Sequence, residues 1–193
     1  MKLWISAITI LVFSMNSNAT VISYDETLQG DLVNTGNFST NTSLGFFGIG
    51  VNTVTGTLTH TFTAGQDAND PFRFNIATDH QLNSVTLFLS HTNNIRELTF
   101  TLGDMSPFSA LALVDATSTS PILAFTSVLP LTGEDEYYLS FSKLTGTSSP
   151  VIIDYTWQFE VSAVPAPAVV WLIGTGLVCL FGVSKYSARS ISY

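Results

Sequence analysis

The stretch VIIDYTWQFEV, residues 151–161, alternates apolar and polar side chains over most of its length. Successive side chains of a strand point to opposite faces of a sheet, whereas an amphipathic helix repeats every 3.6 residues. The stretch is therefore predicted to be a strand with one buried and one wet face. Its apolar set is Val151, Ile153, Tyr155, Trp157, Phe159 and Val161, and its polar set is Asp154, Thr156, Gln158 and Glu160.

The same period of two recurs along the middle of the chain, and turn-forming clusters of Gly, Pro, Asn, Asp and Ser separate the alternating stretches. About eight to ten short strands at this spacing predict an all-β fold for residues 20–163, an antiparallel β-sandwich of jelly-roll or Greek-key type. Residues 34–57, rich in Asn, Thr, Ser and Gly, are predicted to be a long loop or weak edge strands. The four further alternating stretches are TLTHTFT, PFRFNI, IRELTFTL and YYLSFSKL.

The first nineteen residues have the features of a secretory signal peptide. Lys2 supplies a positive charge, residues 3–15 form an apolar run, and small residues lead up to Ala19. Cleavage is predicted after Ala19, which implies export through the inner membrane. A buried N-terminal helix is the alternative interpretation.

The exported middle of the chain is strongly acidic. Residues 20–163 hold all fourteen Asp and Glu and three of the six Lys and Arg, a formal charge of −11. Such a charge repels nucleic acid and anionic lipid headgroups, so neither is expected as a partner. Cys179, the only cysteine, lies outside this region, so the domain must depend on its core rather than on a disulfide.

Residues 164–193 have the pattern of a short membrane anchor. Pro165 and Pro167 fix the backbone and disfavour helix before them. The following run, 168–183, carries no charge and would reach about 24 Å as a helix, against a hydrocarbon core of about 30 Å. We predict a transmembrane helix over 168–184 and a basic end over 185–193, which stays cytoplasmic by the positive-inside rule. A buried C-terminal helix is the alternative.

This tail closely resembles the PEP-CTERM sorting signal and its VPLPA-CTERM variant, although Ala166 replaces the glutamate or leucine of those motifs. The resemblance implies recognition by an exosortase, a membrane protease-transpeptidase that cuts near the proline motif at 164–168. It also implies a Gram-negative bacterium that makes exopolysaccharide, with the protein released to the outer surface or the biofilm matrix. The matching residues are Val164, Pro165, Pro167, Ala168, Trp171, Leu172, Gly174, Gly176, Leu177, Gly182 and Val183, followed by Lys185 and Arg189.

One short stretch of the middle could bind a metal. In GQDANDP, the side chains of Asp67, Asn69 and Asp70 could offer oxygen ligands to calcium. Pro71 occupies a position at which an EF-hand loop requires an oxygen ligand. The alternative interpretation of this stretch is an ordinary turn that binds no metal. The acidic run 134–136 is expected to be a solvated loop.

The remaining candidate residues have ordinary structural interpretations. His60 lies on the apolar face of its predicted strand, whereas His80 and His91 are predicted to be solvated in polar turns. Exposed aromatic rings could stack on sugars, but Tyr155 and Trp157 belong to the alternating apolar face, which leaves Tyr138 as the remaining large ring. No nucleophile elbow, metalloprotease motif, phosphate-binding loop or reactive cysteine occurs, so no catalytic residue and no cofactor is predicted.

These observations favour a non-enzymatic structural protein of the cell surface or extracellular matrix, sorted by an exosortase and associated with exopolysaccharide. The first alternative is a carbohydrate- or calcium-binding module. The second is a polysaccharide-active hydrolase, because strands far apart in sequence can bring two acids together.

Overall fold

The computed structural model describes residues 20–32, 38–60, 70–91, 95–105, 108–115, 122–133, 135–146, 151–165 and 175. The chain divides into two compact units, residues 1–163 and 164–193. In the second unit the described residues are 164, 165 and 175, so the fold below is that of the first unit.

The described residues of the first unit lie mostly in strands. The two short helical elements among them precede the second strand. In chain order the elements are β1 (Ser23–Asp25), α1 (Glu26–Gln29), a 3₁₀ helix (Phe38–Thr40), β2 (Thr42–Phe46), β3 (Gly50–His60), β4 (Phe72–Asn75), β5 (His80–His91), β6 (Ile95–Met105), β7 (Phe108–Asp115), β8 (Ile122–Ala124), β9 (Leu131–Thr132), β10 (Glu136–Gly146) and β11 (Val151–Ala163).

The strands form two sheets. The first sheet has the order β1-β3-β11-β5-β8, with the two-residue β9 also paired to β5, and the second has the order β2-β4-β10-β6-β7. Both are mixed sheets, because β1 runs parallel to β3 and β2 runs parallel to β4. The all-β prediction is confirmed, but a purely antiparallel arrangement is wrong. Each parallel strand reaches its partner through a long connection that returns the chain to its starting end, as parallel pairing requires.

The two sheets pack against each other through aromatic rings on their inner faces. Trp157 of β11 meets Phe100 of β6 edge to face, with ring centroids 4.9 Å apart. Phe159, two residues further along β11, lies 5.2 Å from Phe74 of β4. Aromatic pairs in these arrangements add about 0.5–1.5 kcal/mol each beyond the burial of their area. The core of the fold therefore lies between the sheets.

The predicted alternation is confirmed over residues 152–161 of β11. Ile153, Tyr155, Trp157, Phe159 and Val161 are buried, and the side chains between them are exposed or half-buried. The period-two pattern was therefore sufficient to assign the inward face of this central strand.

The prediction for residues 34–57 was partly wrong. Residues 50–57 belong to β3, an eleven-residue strand that lies inside the first sheet between β1 and β11. The outward positions of β3 from 53 to 59 are all threonine, so the polar composition marks a wet strand face rather than a loop. Threonine is β-branched and suits such a face. β2, in contrast, is an edge strand as predicted.

Candidate functional site: three carboxylates around Tyr155

Glu26 is positioned by the N-terminal segment. Asp25 caps α1, its side chain accepting a hydrogen bond from the Thr27 N–H at 2.9 Å. Because β1 pairs with β3 in parallel, with Asp25 opposite Thr55, Glu26 follows directly beside the middle of β3. Its Oε2 accepts a hydrogen bond from the Thr57 N–H at 2.9 Å, and its Oε1 accepts one from the Leu32 N–H at 3.3 Å. The carboxylate thereby fastens residues 26–32 to the first sheet.

Gly56 makes this approach possible. A Cβ built on Gly56 would overlap the Glu26 carboxylate and the Tyr155 hydroxyl. A glycine in a strand interior often marks a point where another group approaches the backbone closely. Here the absent side chain leaves room for an acid from one segment and a phenol from the neighbouring strand.

Tyr155 lies at the centre of the cluster and is 3% exposed. Its hydroxyl lies 3.1 Å from Glu26 Oε1 and 3.2 Å from Asp70 Oδ2. A phenol has one proton to donate, so the two carboxylates share it. Burial, followed by the charges of Asp70 and Glu26, raises the pKa of Tyr155 well above its usual value. The phenol therefore stays protonated and acts as a donor.

Asp31 and Asp70 complete the cluster. One carboxylate oxygen from each of Glu26, Asp31 and Asp70 lies within 4.8 Å of the other two. Asp70 is 5% exposed, whereas Asp31 faces solvent. Burial raises the pKa of Glu26 despite hydrogen bonds from Thr57, Leu32 and Tyr155, and the charge of Asp31 raises it further. Burial, and to a smaller extent the charge of Asp31, makes ionisation of Glu26 unfavourable.

The chemistry of such a cluster is that of a hard-cation site or a proton-holding site. Calcium takes six to eight oxygen ligands, of which three carboxylates supply part, and solvent beside Asp31 could supply more. A glycoside hydrolase needs two carboxyl groups that face a substrate. Asp70 and Tyr155 are buried, so this cluster differs from an open catalytic pair.

The predicted calcium ligands are only partly represented. Asp70 belongs to the cluster, whereas Asp67 and Asn69 lie outside the described residues. Glu26 and Asp31 were missed because they lie about forty positions before Asp70, and no local spacing connects them. The parallel register of β1 and β3, which brings them there, has no local sequence signal.

Most of the predicted sorting and processing residues lie outside the described part of the chain. Val164 and Pro165 are described, and both are exposed directly after β11. Among the described residues, no helix is long and apolar enough to cross a membrane. The predicted features that lie outside the described residues are the signal peptide 1–19 with its cleavage site at Ala19, the transmembrane span 168–184 apart from Thr175, the basic end 185–193, and the motif residues Pro167, Ala168, Trp171, Gly174, Gly176, Lys185 and Arg189.

Three predictions about polar and aromatic residues are corrected. His91 is the last residue of β5, opposite Ile153 of β11, and is half-buried there rather than solvated in a turn. His80 is buried at the start of β5, opposite Ala163 of β11, and is not solvated, because this turn leads directly into a central strand. Tyr138 is buried as well, since its ring lies over Gly103 of the neighbouring strand, where a Cβ would overlap it. Tyr138 therefore offers no exposed ring for stacking on a sugar. Trp157 is buried as predicted.

The fold and the site together define an all-β domain of two mixed sheets with a three-carboxylate cluster at one edge of the first sheet. No protein-family model matches the chain, and no curated protein is significantly similar to it.

Proposed function

We propose that this chain is an exported structural component of the cell surface or extracellular matrix, sorted and processed by an exosortase-type protease at 164–168. The observation that carries the proposal is the position of the proline motif. β11 ends at Ala163, and Val164 and Pro165 follow it in exposed backbone. The division of the chain into two compact units falls at the same point. A protease requires such accessible backbone, and proline keeps it out of helix.

The proposed export and processing of the protein have three steps. The signal peptide takes the chain through the inner membrane, and the apolar run 168–184 holds it there. Cleavage near the proline motif then releases residues 20–163 to the outer surface, where exopolysaccharide is the proposed partner. The formal charge of −11 keeps such a released domain soluble and disfavours binding to nucleic acid.

We further propose that the two sheets form a jelly roll. Four pairs support this assignment: β3 with β11, β4 with β10, β5 with β8 and β6 with β7, all antiparallel. The first strand of the eight pairs with the last, the second with the next to last, and so on inward. A long hairpin wrapped into two sheets produces this nesting. An experimental structure in which β3 pairs with a strand other than β11 would contradict it.

Mass spectrometry of the mature protein tests the sorting proposal. In a host with an active exosortase, the mature C-terminus is expected within 164–168, and in a host without the enzyme it is expected at Tyr193. The double variant Pro165→Ala/Pro167→Ala should retain the tail, whereas the matched control Pro150→Ala should be processed normally. A wild-type chain that still ends at Tyr193 in the active host contradicts the proposal.

A second candidate function, a calcium-binding module, is favoured by the proximity of the Glu26, Asp31 and Asp70 oxygens. Three carboxylates this close repel one another, and a divalent cation between them would remove that repulsion. Burial raises the pKa of Glu26, and the charge of Asp31 adds a smaller contribution of the same sign that a bound cation would offset. Calcium binding and the surface function are compatible, since calcium-bound modules are common outside the cell.

Calorimetry and thermal unfolding with added calcium test this second candidate. Ligand that binds only the folded chain raises its stability by RT ln(1 + [L]/Kd), so the unfolding temperature should rise with calcium. Asp31→Asn should reduce the rise, whereas the control Asp79→Asn, an exposed acid outside the cluster, should not. Equal responses of the two variants contradict a site at the cluster. A glycan panel in the same calorimeter tests the carbohydrate-binding alternative.

A further inference from the structure

The outward side of the first sheet forms one continuous surface across its three central strands. Thr55 of β3, Thr156 of β11 and Phe88 of β5 are paired side by side. Residues paired in this way point to the same face of a sheet, so the three side chains form a row. Within the row, the hydroxyls of Thr55 and Thr156 lie 3.3 Å apart. We name this row, together with three neighbours on β11, the polar face: Thr55, Phe88, Asp154, Thr156, Gln158 and Glu160.

A single aromatic ring lies in the polar face. The other outward positions of β5 between 84 and 90 are serine or threonine, whereas Phe88 is 37% exposed. Phe88 is opposite Thr156, so Asp154 and Gln158 are its diagonal neighbours on β11. Diagonal neighbours are about 7–8 Å apart, within reach of an aromatic side chain. The face therefore offers an apolar ring bordered by groups that form hydrogen bonds.

Two carboxylates flank this ring along β11, and both are exposed. Asp154 Oδ1 accepts a hydrogen bond from the Thr57 hydroxyl at 2.8 Å. Glu160 Oε2 accepts one from the Ser84 hydroxyl at 2.9 Å. The two acids are six residues apart on one strand, which corresponds to about 20 Å, with the row of Phe88 between them. A ligand that contacts both acids and the ring must therefore be extended along the strand.

The charges of residues 20–163 are divided unevenly between the two sheets. All three basic residues belong to strands of the second sheet, and the described strands of the first sheet contain only acids. A surface that carries charge of one sign attracts ligands of the opposite sign. The basic residues are Arg73 in β4, Arg96 in β6 and Lys143 in β10, and the acids of the first sheet are Asp25, Asp154 and Glu160.

We propose that the polar face binds a polysaccharide that carries free amino groups. Phe88 would contact the apolar side of one sugar ring, and Asp154 and Glu160 would each accept hydrogen bonds from a protonated amine. Sugar hydroxyls both donate and accept, as do the threonine hydroxyls and the Gln158 amide between the two acids. This inference rests on the proposed function, in which exopolysaccharide is the partner, and names the site and the charge of that partner.

The test is calorimetry of the full chain in a neutral detergent with two sugar hexamers. A glucosamine hexamer at pH 6 carries protonated amines, whereas the N-acetylglucosamine hexamer has the same rings without the charge. The glucosamine hexamer is expected to bind at least about fivefold more tightly. Added salt should narrow the difference, because exposed charges are screened.

Substitutions locate the site on the polar face. Phe88→Leu should weaken binding of the glucosamine hexamer at least about fivefold, whereas Phe88→Trp should retain it. The double variant Asp154→Asn/Glu160→Gln should bring its affinity down to that of the acetylated hexamer. The matched controls are Phe46→Leu, at an exposed ring of the second sheet, and Asp79→Asn, at an exposed acid outside the polar face. Both controls should bind as the wild type does.

The outcomes separate this inference from the proposed function. Equal affinity for the two hexamers, or unchanged binding in Phe88→Leu, overturns the inference. Polylysine that binds as tightly as the glucosamine hexamer would show that the face selects charge alone, which also overturns it. Processing does not enter the titration, so absence of binding leaves the sorting proposal standing. A chain that binds the hexamer but still ends at Tyr193 in an active host contradicts the sorting proposal alone.

Discussion

The inward face of β11 enters two different environments within three residues. Trp157 lies among rings, 4.9 Å from Phe100 and 5.9 Å from Phe125. Tyr155 points to the same side of the strand, but its hydroxyl meets the carboxylates of Glu26 and Asp70. Successive inward positions of one alternating strand can therefore contribute to an apolar core and to a buried polar cluster. The two positions should respond differently to substitution, to pH and to calcium.

The largest loss of folding stability is expected at Trp157, in the apolar core between the sheets. Trp157→Ala removes a fully buried ring and leaves a cavity between the sheets, which should lower the free energy of unfolding by about 3–5 kcal/mol. Urea denaturation at pH 7 measures it. Gln158→Ala, the next residue along on the wet face, is the control and should change stability by no more than about 0.5 kcal/mol. Similar losses in both variants would mean that β11 has no distinct inner face.

The next largest loss of stability is expected at Gly56, where the carboxylate cluster approaches the backbone of β3. Gly56→Ala places a methyl group against the Glu26 carboxylate and the Tyr155 hydroxyl and should cost about 1–3 kcal/mol. In a Glu26→Ala background one of the two obstacles is absent, so the same substitution should cost less. A double-mutant cycle from urea titrations measures the difference. Equal costs in both backgrounds would contradict the close approach of Glu26 to β3.

The apolar core around Trp157 was largely predictable from the sequence, whereas the carboxylate cluster around Tyr155 was not. Alternation identified Tyr155 and Trp157 as inward, because strand side chains repeat every two residues. It could not tell that a carboxylate from α1 would reach Tyr155, since that depends on a parallel pairing between β1 and β3. For the same reason residues 50–57 were predicted to be a loop or weak edge strands, although they belong to a strand inside the first sheet, between β1 and β11.

A smaller effect is expected from the hydroxyl of Tyr155 alone. Tyr155→Phe keeps the ring but leaves Glu26 and Asp70 without their shared donor, which should cost about 1.5 kcal/mol at pH 7. The cost should shrink at pH 5, because a protonated carboxyl depends less on the lost donor. Tyr138→Phe, in which the ring covering Gly103 is retained, is the matched control and should show no such dependence on pH. A pH-independent cost at Tyr155 would indicate that the carboxylates do not use its hydroxyl.

The smallest expected effect is the dependence of stability on the ionisation of Glu26. Burial raises the pKa of Glu26 in the folded chain, whereas the unfolded chain keeps a value of about 4.3. The folded state therefore takes up the proton first as pH falls, and folding gains stability between the folded-state pKa and about pH 4.3, with no further gain below it. At higher pH this contribution is absent, because both states are ionised and burial penalises the folded one.

Unfolding temperatures from pH 4.5 to 7.5, measured with EGTA present, check this dependence. The other acids of the domain also repel one another less at low pH, so the wild-type curve alone is not diagnostic. Glu26→Gln cannot titrate, and its curve should therefore be flatter than that of the wild type. Glu160→Gln, an exposed acid on the wet face of β11, is the matched control. Calcium in place of EGTA should oppose the gain at low pH, because the cation favours the ionised carboxylate. If the curves of wild type and Glu26→Gln are parallel, the Glu26 carboxylate is as well solvated in the folded chain as a surface acid. That result would contradict the predicted effect of its burial on stability.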